Sequence, residues 1–142
     1  MPKPDLETWM KRWDSPEARR LGVVPDSVQP GEACFLVRRP YGDERDGDRL
    51  FTSAALFYAI DIAALAAVVA RLDAERQQPN GTASLTMNFV AEPEGTVRAR
   101  GTVAHWDTFG ALVEVEVRDE ADRLVGRGQS AYSLRPRAGG TS

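Results

Sequence analysis

Asp61 is the one strongly polar residue between Ala54 and Ala70, the longest apolar run of the chain. A carboxylate in such a setting loses hydration, which is costly while it stays charged and unpaired, so it either shifts its pKa or finds donors. Both outcomes make Asp61 a candidate site residue. The alternative is a structural acid satisfied by backbone or hydroxyl donors of a neighbouring strand. Thr52 and Ser53 stand at the head of the same run, where their hydroxyls can orient a water or a carbonyl, or cap a helix. Asp46 adds a second carboxylate nearby, either at the site or on a solvent-facing turn. The acidic group Asp43, Glu44, Asp46 and Asp48 lacks the spacing and the downstream glutamate of a calcium loop and reads as a solvated turn. His105, the single histidine, has no partners at metal-ligand spacing, and no GxSxG elbow offers it a serine. Cys34 lies in an apolar stretch and reads as a small core residue. No metal or cofactor is expected.

The chain that must position these residues has 142 of them, 42% hydrophobic and 27% charged, a composition that fits one globular domain. With 18 Lys and Arg against 21 Asp and Glu the net charge is −3, so the attraction that drives binding to phosphate backbones is missing and nucleic acid is excluded as a partner. One cysteine cannot form an internal disulfide, and MPKPDLETWMKRW breaks any secretory apolar core with charge and proline, so a cytoplasmic location is expected. Ala54 to Ala70 falls short of the roughly 20 residues of a bilayer span and contains Asp61, so no membrane partner is expected.

Periodicity supplies the elements. Leu6, Trp9, Met10 and Trp13 recur at helical spacing after Asp5, and Ser15-Pro16-Glu17 starts a second short helix that Gly22 stops. Ala33 to Val37 is a strand, and Pro40 to Arg49 a polar loop. Residues 53 to about 77 form a long helix, turning over at Pro79-Asn80-Gly81, that is apolar on nearly every side and has to be surrounded. Four strands follow: Ser84 to Val90, Thr96 to His105, Phe109 to Arg118 and Leu124 to Leu134, the middle two alternating strictly between apolar and polar positions. The last carries Gly126, Gly128 and Ser130 on one face, a row that lets a helix or another backbone come close. The expected architecture is α+β: a helical lead over residues 1–30, a domain over 31–135 in which an antiparallel four-strand meander and the earlier strand curl around the central helix, and a flexible tail over 136–142. This is the hotdog fold.

From about residue 15 to 135 the sequence resembles the PaaI-like acyl-CoA thioesterases of the hotdog superfamily, through FTSAALFYAIDIAALAA, SLTMNFVAEP and ALVEVEVRDEADRLVGRGQSAY. Members typically read N-G-x-x-x-x-H-G-G before an acid seven residues beyond the last glycine. Asp61 falls at the acid, Asp46-Gly47 at Asn-Gly, and Thr52, Ser53 and Ala54 replace His-Gly-Gly. The resemblance implies hydrolysis of an acyl thioester carried on CoA or an acyl carrier protein. Asp61 would act as general base or nucleophile, meeting the polarising helix end of the other subunit of a homodimer or homotetramer. The backbone N–H of Ser53 or Ala54 would polarise the carbonyl. Phe57, Tyr58, Met87, Asn88 and Phe89 are pocket candidates, and Arg98, Arg100 and Arg118 are available for the CoA phosphates. Two other readings use the same scaffold: a non-hydrolytic protein binding an acyl or other apolar ligand, and a hydratase, dehydratase or conjugate-addition enzyme acting on an unsaturated thioester.

Overall fold

The computed structural model of the chain describes residues 6–38 and 48–137. Two short helices, α1 (Leu6–Trp13) and α2 (Pro16–Arg20), lead into strands β1 (Val23–Gln29) and β2 (Glu32–Val37). The long helix α3 (Asp48–Arg71) follows, then β3 (Gln77–Phe89), β4 (Val97–Trp106), β5 (Gly110–Arg118) and β6 (Leu124–Pro136). Ser15 starts α2 as its residue types require: the Oγ accepts from the Ala18 N–H at 3.1 Å, and Pro16 occupies the first turn, where a missing N–H is harmless.

All six strands join one antiparallel sheet in the order β1-β2-β4-β5-β6-β3, with α3 lying on its inner face. This is the hotdog architecture. Alternation decides what faces the helix: Val97, Ala99 and Gly101 of β4 and Ala111, Val113, Val115 and Val117 of β5 are buried, while Arg98, Arg100 and Glu114 point outward and are exposed. The helix matches this floor with small side chains, Ala59, Ala63, Ala66, Ala67 and Ala70, all buried. Close approach is complete at Gly101, where a Cβ would lie 3.0 Å from the Ala63 backbone. α3 is long and apolar enough to cross a bilayer, but most of its surface is buried inside the fold.

Several expectations change. β1 lies within residues 1–30, where the sequence reading has only helices; Pro25, Asp26 and Ser27 interrupt its pattern, and a bulge between Pro25 and Ser27 absorbs them on a sheet edge. The last four strands are not a meander, because β3 pairs with β6 instead of β4. Pro79-Asn80-Gly81 is no turn: these residues run inside β3, and bulges at Pro79/Gly81 and Thr82/Ser84 accommodate them on the other sheet edge. The helix itself starts at Asp48 and ends at Arg71, earlier than expected at both ends. Nor is it wholly surrounded by its own chain, since the sheet covers one side and leaves Ala54 and Phe57 exposed, with Tyr58, Asp61, Ile62 and Leu65 half-buried. β6 runs through Pro136, and the Arg137 N–H donates to Arg76 O at 2.9 Å; the rest of the expected tail, 138–142, lies outside the described residues.

Candidate active site

Asp61 projects from the middle of α3 toward the β3 side of the sheet, where Thr82 Oγ1 donates to its Oδ1 at 2.9 Å. The site is a seam: on one side the helix, on the other the edge strand and its neighbour β6, whose Tyr132 pairs with Thr82 in register. Tyr132 is buried, and burial pushes its phenol above the ordinary value. The Asp61 carboxylate pushes it the same way, and the Gly81 N–H pulls it back. Asp61 is therefore half-buried and held by a hydroxyl donor, with its charge felt inside the sheet.

The strand segment that carries Thr82 is itself fixed from behind. The buried Gln77 donates through Nε2 to the carbonyls of Asp107 and Thr108 at 3.1 and 3.0 Å and accepts from Trp106 Nε1 at 3.3 Å. The Arg71 guanidinium at the end of α3 stacks over the Trp106 ring at 4.8 Å. This latch ties the start of β3 to the loop between β4 and β5 and to the last turn of α3.

The remaining sequence candidates divide around this seam. Phe57, on the same helix face as Asp61, meets Phe89 edge to face at 5.6 Å, and Met87 packs half-buried against the core. Tyr58 is half-buried against the core. Asn88 alternates to the outer face, where it lines a groove of about 770 Å³ with Arg100, Glu114, Glu116 and Arg127. Ser53 and Ala54 are exposed. Because α3 begins at Asp48, both lie more than one turn inside the helix, so their N–H groups serve the helix ladder and neither residue is its cap. Carbonyl polarisation by those two N–H groups does not survive; the free N–H groups belong to the first turn, from Asp48 onward. Asp46 and the side chain of Thr52 lie outside the described residues.

His105 sits on the outer face, exposed, with Nε2 3.7 Å from Asp107 Oδ2. Cys34 is a buried free thiol, its pKa raised by burial. The arginines considered for CoA phosphates are on the outer face in ion pairs: Arg98 with Asp122 at 3.1 Å, Arg100 with Glu32 and Arg118 with Glu116. Among the described residues no three His, Cys, Asp or Glu side chains gather as a metal site.

Thr82, Gln77 and the part Tyr132 plays are not evident from the sequence. Thr82 directly follows Asn80-Gly81, and its hydroxyl becomes informative only once β3 is extended backward past those residues.

No protein-family model matches the chain, and no curated protein matches it in sequence. Solved structures do match. Thioesterase HI1161 of Haemophilus influenzae superposes with a TM-score of 0.71 at 13% identity, covering 95% of this chain and 93% of that one. Conserved protein PA5202 of Pseudomonas aeruginosa gives 0.66 at 25% identity, covering 89% and 97%. The PaaI protein of the E. coli phenylacetic acid degradation operon gives 0.64 at 18% identity, covering 82% and 86%. These likenesses define the class of the fold: the chain is a hotdog protein.

Proposed function

We propose that this chain is a PaaI-like hotdog thioesterase that hydrolyses an acyl thioester of CoA or of an acyl carrier protein, working in the cytoplasm as a homodimer or as a homotetramer of such dimers. The observation that carries the reading is the Asp61–Thr82 pair, a carboxylate held at the seam of an otherwise apolar helix. A protein that only bound an apolar ligand would gain core stability by placing Ala or Leu there. Thioesterase HI1161 and the PaaI protein, which share the fold, agree with this chemistry.

The reaction needs a base or nucleophile and a group that stabilises charge on the carbonyl oxygen. Asp61, as base, takes a proton from water, which attacks the carbonyl carbon; the tetrahedral intermediate then collapses with cleavage of the C–S bond and departure of the thiolate. As nucleophile, Asp61 attacks directly and the resulting anhydride is hydrolysed. The free N–H groups at the head of α3 are the polarising donors, and they begin thirteen residues before Asp61, roughly 20 Å along the helix axis. One chain therefore does not bring its own helix start to its own Asp61, and the two functions come from different subunits.

β3 supports that arrangement. It is a thirteen-residue edge strand, exposed along most of its length, and next to it Phe57, Phe89 and Val90 are 47%, 42% and 66% exposed. Such an edge is a liability unless paired, and antiparallel pairing with a second β3 is the two-fold solution. The single buried thiol fits a reducing compartment. The test is a panel of acyl-CoA thioesters followed by release of free thiol. Saturable release above the uncatalysed rate with at least one acyl group supports the reading, and none across short, long and aromatic acyl groups refutes it.

A further inference from the structure

After the bulge between Thr82 and Ser84, β3 keeps an unbroken register with β6 from Ser84 to Phe89. In this stretch the edge that each residue serves is fixed. A Cβ on Gly128 would meet the Thr86 carbonyl oxygen, a Cβ on Gly126 would stand 3.2 Å from the Asn88 carbonyl oxygen, and the Val90 N–H donates to Val125 O at 2.8 Å. Thr86, Asn88 and Val90 therefore bond toward β6, and the intervening Leu85, Met87 and Phe89 turn their N–H and C=O groups to the open edge. The same alternation sends Leu85 and Met87 onto the core and Phe89 toward Phe57, with Thr86 and Asn88 exposed on the outer face.

A second β3 that pairs antiparallel about a two-fold axis must set opposite each other residues that share a face and a bonding edge, so the axis is centred on a single residue. Centred on Met87, it makes three hydrogen-bonded pairs within β3: Met87 with itself and Leu85 with Phe89 twice. Centred on Thr86 or on Asn88 it makes two, Leu85 with Met87 or Met87 with Phe89. The edge is best satisfied at Met87.

The helices agree with that centre. Phe57 meets Phe89 and Asp61 meets Thr82, so α3 runs opposite to β3. The head of α3, Asp48, lies nine residues before Phe57, about 14 Å along the helix. With Phe89 of the partner subunit opposite Leu85, that subunit's helix head falls no more than about 20 Å from the axis, on the side where Thr82 stands. Thr82 is about 14 Å from the axis, because its register partner Tyr132 is four residues along β6 from Gly128, the register partner of Met87. The free N–H groups of one helix head thus come level with the other copy's Asp61 to within about one helical turn.

Resting on the shared-site reading above, we propose that two copies of this chain join through β3 with the two-fold axis at Met87, pairing Leu85 with Phe89 of the partner subunit and bringing each α3 head to the other copy's Asp61. The register also sets Thr86 opposite Asn88 of the partner subunit on the outer face, as a non-hydrogen-bonded pair with Cα atoms about 4.5 Å apart, close enough for a disulfide.

The experiment oxidises T86C, N88C and the double variant T86C/N88C and reads chain mass on denaturing gels without reductant, after gel filtration of each reduced protein beside the wild type. Cys34 is buried, so the oxidised wild type serves as the blank. The double variant is expected to run at twice the chain mass, and each single variant at the chain mass. A cross-link in T86C alone or in N88C alone moves the axis to that residue and overturns the proposal, as does a double variant that elutes like the wild type and forms no cross-link, or a wild type that elutes as a monomer. Cross-linking reads strand contact and not turnover, so the acyl-CoA panel on the wild type is a separate result: a cross-link in the double variant alone without hydrolysis keeps the register and refutes the thioesterase, and hydrolysis without that cross-link does the reverse.

Discussion

Asp61 and Thr82 are 21 positions apart, and their hydrogen bond exists only because an edge strand folds back past a helix. Asp61 is legible in the sequence, since a lone carboxylate in an apolar helix is conspicuous; Thr82 is not, because no local pattern says which strand residue will face which helix turn. The pair is also testable at this scale. A hydroxyl donor orients the carboxylate without changing its charge, so Thr82→Val is expected to lower kcat by about tenfold to a hundredfold through misplacement of the base. The change leaves the folding stability within about 1 kcal/mol, because the bond is partly exposed. Steady-state kinetics with a melting curve on the same preparation check both parts. A Thr82→Val protein with unchanged kcat would show that Asp61 needs no such support.

At the scale of elements, β4, β5 and β6 are legible because alternation is a local, period-two signal, and α3 because its composition is uniformly helix-forming and apolar. What the sequence hides is non-local. β1 and the start of β3 carry Pro, Asp, Asn and Gly in their interiors, which a sheet edge tolerates through bulges but a local reading takes as turn or loop. The pairing of β3 with β6 depends on a long crossover that no local pattern specifies. The β5–β6 turn is organised around a buried carboxylate, Asp119. Its carboxylate accepts from the N–H groups of Ala121, Arg123 and Glu94 and from the Arg123 guanidinium. Burial pushes the carboxyl up, but these donors outweigh it and hold it below the usual value. A depressed native pKa contributes stability that is fully present above the unfolded value near ~4 and is lost as pH falls through the native one. Asp119→Asn should therefore lower the melting temperature at neutral pH by more than about 5 °C, and the gap to wild type should narrow as pH drops below ~4. Melting curves across pH check this; a constant gap would mean that the carboxylate charge is not what holds the hairpin.

On the scale of the whole molecule, the sheet covers one side of α3, and the uncovered stripe, the unpaired β3 edge and the exposed Phe57, Phe89 and Val90 lie together. A chain left alone would expose all three, so light scattering during gel filtration at micromolar concentration should give twice the chain mass or a multiple of it, and a monomer would remove the shared site. The proposed activity draws on all of these features, with Asp61 hydrolysing an acyl thioester in a dimer of this fold. The most direct test is single-turnover hydrolysis of the best acyl-CoA substrate by Asp61→Asn, with its melting temperature measured on the same preparation. The substitution keeps shape and removes charge, and the account predicts that hydrolysis falls at least about a hundredfold while the protein melts at or above the wild-type temperature. A destabilised Asp61→Asn protein whose folded fraction still hydrolyses at the wild-type rate would contradict it and make Asp61 a structural acid.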